Sequence, residues 1–113
     1  MDKIEAIKES ISHWERMIEW VKTQDLNETP TLTKMEEEIQ EGWKTNNCSL
    51  CQEYYNPFRG GVMICLGCPL ALKYGNCSYH FTKNNWLAVN LSINWSEWLI
   101  NAEKLLEQLR SLL

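Results

Sequence analysis

The apolar residues at the two ends of the chain recur at intervals that only a helix puts to use. Ile4, Ile7, Ile11, Trp14, Ile18 and Val21 step by 3, 4, 3, 4 and 3, which lays all six on one helical face. Lys3, Glu5, Lys8, Glu9, Glu15, Arg16, Glu19 and Lys22 occupy the other positions. This predicts an amphipathic helix over 3–22, about 30 Å long at 1.5 Å per residue. Near the other end, 85–112 contains neither Gly nor Pro, and Leu91, Trp95, Trp98, Ala102, Leu105, Leu109 and Leu112 again step by 4 and 3. Leu87, Leu99, Leu106 and Leu113 widen that stripe, Thr82 is placed to cap its start, and Glu107 and Arg110 pair on its wet face. A lone helix of this kind is marginal in water. The simplest solution packs one stripe against the other, antiparallel.

A chain of 113 residues leaves room for one core, so 1–113 reads as a single domain. With 44% apolar and 23% charged residues it is too hydrophobic to stay disordered. No apolar run reaches the roughly 18 residues of a membrane span. The start, Met1-Asp2-Lys3-Ile4-Glu5, lacks the apolar core of a signal peptide, so a cytoplasmic location is expected. The Asn-x-Ser/Thr triplets at Asn27, Asn47, Asn76, Asn90 and Asn94 then count as chance matches. Between the stripes, 26–33 reads as a loop around Asn27 and Pro30. A short acidic helix follows over 33–42, with Thr33 and Glu36 as a capping box, Met35, Ile39 and Trp43 along one face, and Gly42 at its end. Six tryptophans help a small domain close its core, and those left partly exposed would be anchors for a protein partner.

The strongest chemical signal lies between the helices. Cys48-Ser-Leu-Cys51 and Cys65-Leu-Gly-Cys68 are two CxxC pairs separated by thirteen residues, and Cys77 comes after eight more. Such pairs match a Cys₄ zinc site, in which each knuckle brings two thiolates to the ion and four soft ligands complete a tetrahedron at about 2.3 Å. Gly60-Gly61 lies where a hairpin between the pairs reverses, with Tyr54, Tyr55, Val62, Met63 and Ile64 as flanking short strands. The expected zinc ligands are Cys48, Cys51, Cys65 and Cys68. Cys77 is the alternative ligand, in a set with Cys48, Cys51 and Cys68, and His80 is a reserve. Disulfides, a redox CxxC and an iron–sulfur cluster are the competing uses of these thiols. The fold class expected is mainly α: two long antiparallel terminal helices flank a small zinc-ribbon-like module over 46–80.

A closed Cys₄ shell leaves zinc no open position, and the chain holds only His13 and His80 as imidazoles. His13 beside the first stripe reads as a helix-surface or boundary residue. With no nucleophile elbow, zinc-protease, deaminase or phosphate-loop motif present, no enzyme activity and no small-molecule substrate are expected. Net charge is −4, without the basic footprint of a nucleic-acid binder. Asp25, Glu28, Glu36, Glu37, Glu38 and Glu41 against Lys34 make 25–41 locally −5. Lys44, Arg59, Lys73 and Lys83 against Glu53 make 42–90 locally +3. Glu36, Glu37, Glu38 and Glu41 are therefore the candidate contact for a basic partner surface. They serve equally as the solvated face of a short helix.

The layout resembles a group of small phage and prophage five-cysteine zinc proteins. The matching pieces are Ser12-His13-Trp14, the CxLC of Cys48–Cys51 with Tyr54, Cys65-Leu-Gly-Cys68-Pro69, Gly75-Asn-Cys77 and the leucines of 105–113. Some zinc-binding members of this size are similar to type II anti-CRISPR proteins. The resemblance implies a non-catalytic inhibitor in the cytoplasm of a bacterial host, binding the nuclease Cas9 and blocking its engagement of target DNA. The long acidic insert at 25–41 and the density of tryptophan depart from that pattern. The rival reading is a nucleic-acid-binding zinc module of a phage accessory or transcription factor, with Tyr54, Tyr55, Phe58 and Arg59 stacking bases. Four basic residues across the block are few for that role, and direct nucleic-acid binding is not expected.

Overall fold

The first helix, α1 (Lys3–Val21), starts where Asp2 stops the chain in an extended conformation and its carboxylate accepts the Glu5 N–H at 2.8 Å. The computed structural model describes residues 2–43, 55–56, 64–65, 69–74 and 84–113. Within them lie α2 (Leu32–Ile39), β1 (Tyr55–Asn56), β2 (Ile64–Cys65), α3 (Pro69–Tyr74), α4 (Trp86–Asn90) and α5 (Trp95–Arg110). The described residues are mostly helical. The α1 stripe is buried from Ile7 to Val21, and only Ile4, in the first turn, stays exposed.

The predicted helix over 85–112 is two helices. The chain breaks at 91–94, because polar side chains there offer the backbone better partners than a continuing helix. Ser92 donates its hydroxyl to the Ala88 carbonyl at 2.8 Å, and Asn94, extended at φ −149°, accepts the Glu97 N–H at 2.8 Å. Leu91 consequently leaves the stripe and is 63% exposed. The short α4 folds back along α5, tied by Asn85 Nδ2 to the Asn101 carbonyl at 2.7 Å and by the Asn85 N–H to Gln108 Oε1 at 2.9 Å. From Trp95 onward the expected stripe holds: Trp95, Trp98, Ala102, Leu105, Leu106 and Leu109 are buried.

Helices α1 and α5 pack together as the main contact of the fold. Their direction follows from the rings. Trp20 meets Trp95 at 5.6 Å and Trp14 meets Trp98 at 6.0 Å, so the two helices run in opposite senses. The turn after α1 secures this end, where the Leu26 and Glu28 carbonyls accept the Ser96 and Trp95 N–H groups, each at 3.0 Å. Trp43 completes the cluster, its ring 5.9 Å from Trp95 and 5.6 Å from Trp98. Four of the five edge-on or stacked pairs among these rings are edge-on, the arrangement the ring quadrupole favours. The tryptophans therefore close the core. Trp20 and Trp86, the two that are half-buried, also pack against it rather than standing out as partner anchors.

Helix α2 differs from its expected span of 33–42. It begins at Leu32, with Thr31 as N-cap, so Thr33 lies inside the first turn and no Thr33–Glu36 capping box forms. It ends at Gln40, not at Gly42: Gln40 is left-handed at φ 55°, and its N–H returns to the Glu36 carbonyl at 3.0 Å. A left-handed conformation costs a residue other than glycine about 1 kcal/mol. What the turn achieves is to swing Glu41 onto α1 and Trp43 into the core, off the helix face expected for it. Elsewhere, β1 and β2 pair antiparallel with Tyr55 opposite Cys65 and Asn56 opposite Ile64. The predicted reversal at Gly60-Gly61 and the cap at Thr82 lie outside the described residues.

Two leucines of the same sequence stripe should respond differently. Leu105→Ala, at a fully buried site, should cost about 2–5 kcal/mol in urea unfolding. Leu91→Ala should fall within about 0.5 kcal/mol of the parent protein. Equal losses at both positions would contradict the break at 91–94.

Candidate metal centre and acidic face

The segment that carries the cysteines is gripped by the helical frame at three places. At its entry, Trp43 is buried in the ring cluster, and its carbonyl accepts the Trp86 indole N–H at 2.6 Å. One residue earlier, the Gly42 carbonyl lies 3.0 Å from His13 Nε2. In the middle, α3 docks on the end of α5. Leu70 is buried, Tyr74 shares a hydrogen bond with the Ser111 hydroxyl at 2.7 Å, and Lys73 Nζ donates to Ser111 Oγ at 3.1 Å. At the exit, the buried Asn84 donates its N–H to the Tyr74 carbonyl at 2.8 Å and accepts the Trp86 N–H on Oδ1 at 2.9 Å.

The expected ligands are distributed around these points along the chain. Cys48, Cys51, Cys68, the alternative Cys77 and the reserve His80 lie outside the described residues, and of Cys65 the backbone in β2 is described. Among the described residues no group of three or more His, Cys, Asp or Glu is placed to hold a metal ion.

The four candidate glutamates do not form one face. Glu37 and Glu38 are exposed on α2, and Glu36 beside them is half-buried. Glu41 lies past the left-handed turn with its side chain 16% exposed. Arg16 Nε donates to both of its oxygens, at 2.7 and 2.9 Å, and His13 Nδ1 stands 3.3 Å from Oε1. Burial alone would raise the Glu41 pKa. The hydrogen bonds and charges of Arg16 and His13 outweigh it and hold the carboxyl below its ordinary range. The same hydrogen bond pushes Arg16 upward. His13, expected at the helix surface or boundary, is buried at 6% exposure because the 41–43 segment folds over it. No spacing in the sequence announces this triad, whose members are 25 and 28 residues apart. An open groove of about 680 Å³ runs beside it, lined by Glu15, Arg16, Glu19, Ile39, Gln40 and Glu41.

No protein-family model matches this chain, no curated protein is significantly similar to it, and no solved structure matches it. Among the described residues no helix is long and apolar enough to cross a membrane.

The Glu41 site makes stability depend on pH. Its carboxyl is more acidic folded than unfolded, so its contribution is complete above the ordinary value of 4.5 and is lost as pH falls through the lower folded value. Glu41→Gln should lower the urea midpoint at pH 7 and make the decline of stability below pH 4.5 shallower than in the parent. Parallel parent and variant profiles across that range would rule out a folding role for this carboxylate.

Proposed function

We propose that the chain is a non-enzymatic inhibitor, encoded by a phage or prophage, that binds a Cas9-type CRISPR nuclease and blocks its engagement of target DNA. The observation that carries the reading is the three-point grip on the cysteine segment, which suits a rigid frame presenting a metal-stapled block to a partner. The donor set fits zinc. Cys48, Cys51, Cys65 and Cys68 would hold the ion, with Cys77 as the alternative. Zinc bound by four thiolates serves as a structural ion, worth about 10–16 kcal/mol of apparent binding free energy that adds to folding. The resemblance of the cysteine layout to zinc-binding anti-CRISPR proteins supplies the partner class. Cas9 holds nucleic acid in positively charged channels, and Glu37 and Glu38, exposed on α2, are the acidic groups that would meet such a surface. Glu41 is engaged with Arg16 and His13 and drops out of the contact.

Protein purified without added metal should contain close to one zinc per chain by elemental analysis. Cys48→Ser and Cys51→Ser should lose the metal, while Cys77→Ser keeps it. Iron with visible absorbance, or no metal, would overturn the zinc assignment. Purified chain should also capture Cas9 in the absence of DNA, and Glu37→Lys with Glu38→Lys should weaken capture and flatten its salt dependence without changing zinc content. Salt-sensitive binding to bare DNA with no capture of Cas9 would replace this reading with the nucleic-acid module.

A further inference from the structure

Helices α1 and α5 pack through their apolar stripes, but an open furrow of about 380 Å³ remains along the seam, reaching down to the buried Ile18 and Leu106. The hollow of about 680 Å³ beside Ile39 and Gln40 adjoins it. Glu15 and Glu19, four residues apart on α1 and both exposed, line both spaces and form the ridge between them. From α5, Glu103 and Glu107 line the furrow, again four residues apart and exposed. Like charges at that spacing on a helix repel each other, and two such pairs border one narrow space. The cations present do not cancel them. Lys22 pairs with Glu19 at 3.3 Å, Arg110 is shared between Glu107 at 3.2 Å and Glu15 at 3.8 Å, and Arg16 is committed to Glu41. Five carboxylates against three cations leave two negative charges, and Glu103 has no ion pair among the described residues.

We propose that this surface is a docking groove for a basic amphipathic helix of a partner protein. Apolar side chains of that helix enter over Ile18 and Leu106 and over Ile39, and its cations meet Glu15, Glu19 and Glu103. A helix is the form that fits. The carboxylates on α1 and on α5 are spaced i, i+4, about 5–6 Å, and Lys or Arg at i, i+4 of a second helix repeats the same interval. The sign of the charge sets the class of partner. DNA, RNA and acidic lipid headgroups are repelled by the same carboxylates. A second copy of this chain is disfavoured too, because it carries the same net charge of −4. The inference goes beyond the contact proposed above: Glu37 and Glu38 lie outside the groove, and neither the metal nor the nuclease enters the argument.

The probe is a synthetic peptide of about 15 residues, long enough to hold a helix, with Leu at i, i+3, i+4 and i+7 and Lys flanking that face. One control replaces its Lys by Glu, and the other replaces its Leu by Ser. Each is titrated into the intact, as-purified protein, and the backbone amides are followed by NMR. The Leu/Lys peptide should bind saturably and shift the amides of Ile18, Glu19, Ile39, Gln40, Glu103 and Leu106. The Glu control should not bind, and the Ser control should bind about ten-fold more weakly or worse. Glu15→Lys with Glu103→Lys, both at exposed positions that the fold tolerates, should weaken binding by about ten-fold. Should that variant not fold, Glu15→Gln with Glu103→Gln carries the comparison, with a loss of about three-fold. Glu37→Lys with Glu38→Lys should stay within about two-fold of the parent, although it weakens capture of Cas9, which separates this groove from that contact. No saturable binding, equal affinity for the Leu-free peptide, shifts gathered on Glu37 and Glu38, or an unchanged affinity in the Glu15 and Glu103 variants would each overturn the groove. So would shifts of the groove amides on dilution without peptide, which would make the occupant a second copy.

Discussion

The contact on which the rest depends is the indole cluster at the N-terminal end of α5. Trp95 and Trp98 are fully buried, and between them they receive Trp14 and Trp20 from α1 and Trp43 from the segment after α2. Each ring hides a large apolar area, and edge-on pairs add about 0.5–1.5 kcal/mol beyond that burial. The cluster also joins three pieces of chain that are distant in sequence. Taking away one ring would therefore disturb the pairing of the long helices and the seating of the cysteine segment together. In a domain this small, with a limited core to draw on, that concentration of contact substitutes for size.

Around the cluster the polar contacts do a different task, which is to place the chain where it enters and leaves the helical frame. Gln40 accepts an unfavourable backbone conformation so that Glu41 and Trp43 arrive at their sites. Asn84, Asn85 and Asn94 use amide side chains to start α4 and α5 and to tie them to each other. These are short polar residues at element ends, where their side chains compete well with the backbone. The apolar stripes set which faces meet, and the asparagines set where α4 and α5 begin.

How much of this could be read from the sequence follows from the range of the interaction. The α1 helix was legible because its stripe is a local pattern and its cap, Asp2, sits one residue ahead of it. The α5 stripe was legible for the same reason, but the apolar spacing continues back through Leu91 and masks the break. The signal for the break was present: Asn94, followed three residues later by Glu97, is a helix start within an apparent helix. Trp43 was placed on the α2 face by its spacing from Met35 and Ile39, and a single left-handed residue overrides that spacing. Glu41 was legible as a charge but not as a partner for Arg16 and His13, because the bond between them spans the loop after α1 and the whole of α2. Of the candidate site, then, the spacing of the cysteines and the charge of α2 are legible in the sequence, while the points that hold the cysteine segment are not.

The hydrogen bond from the Asn84 N–H to the Tyr74 carbonyl joins the end of α3 to the residue that leads into α4. Tyr74 is also tied to Ser111 just past α5, and Asn85, beside Asn84, is tied to Gln108 and Asn101 on α5 itself. Tyr74 and Asn84 therefore share one anchorage, and a pull along the chain from either side is delivered to the same helix.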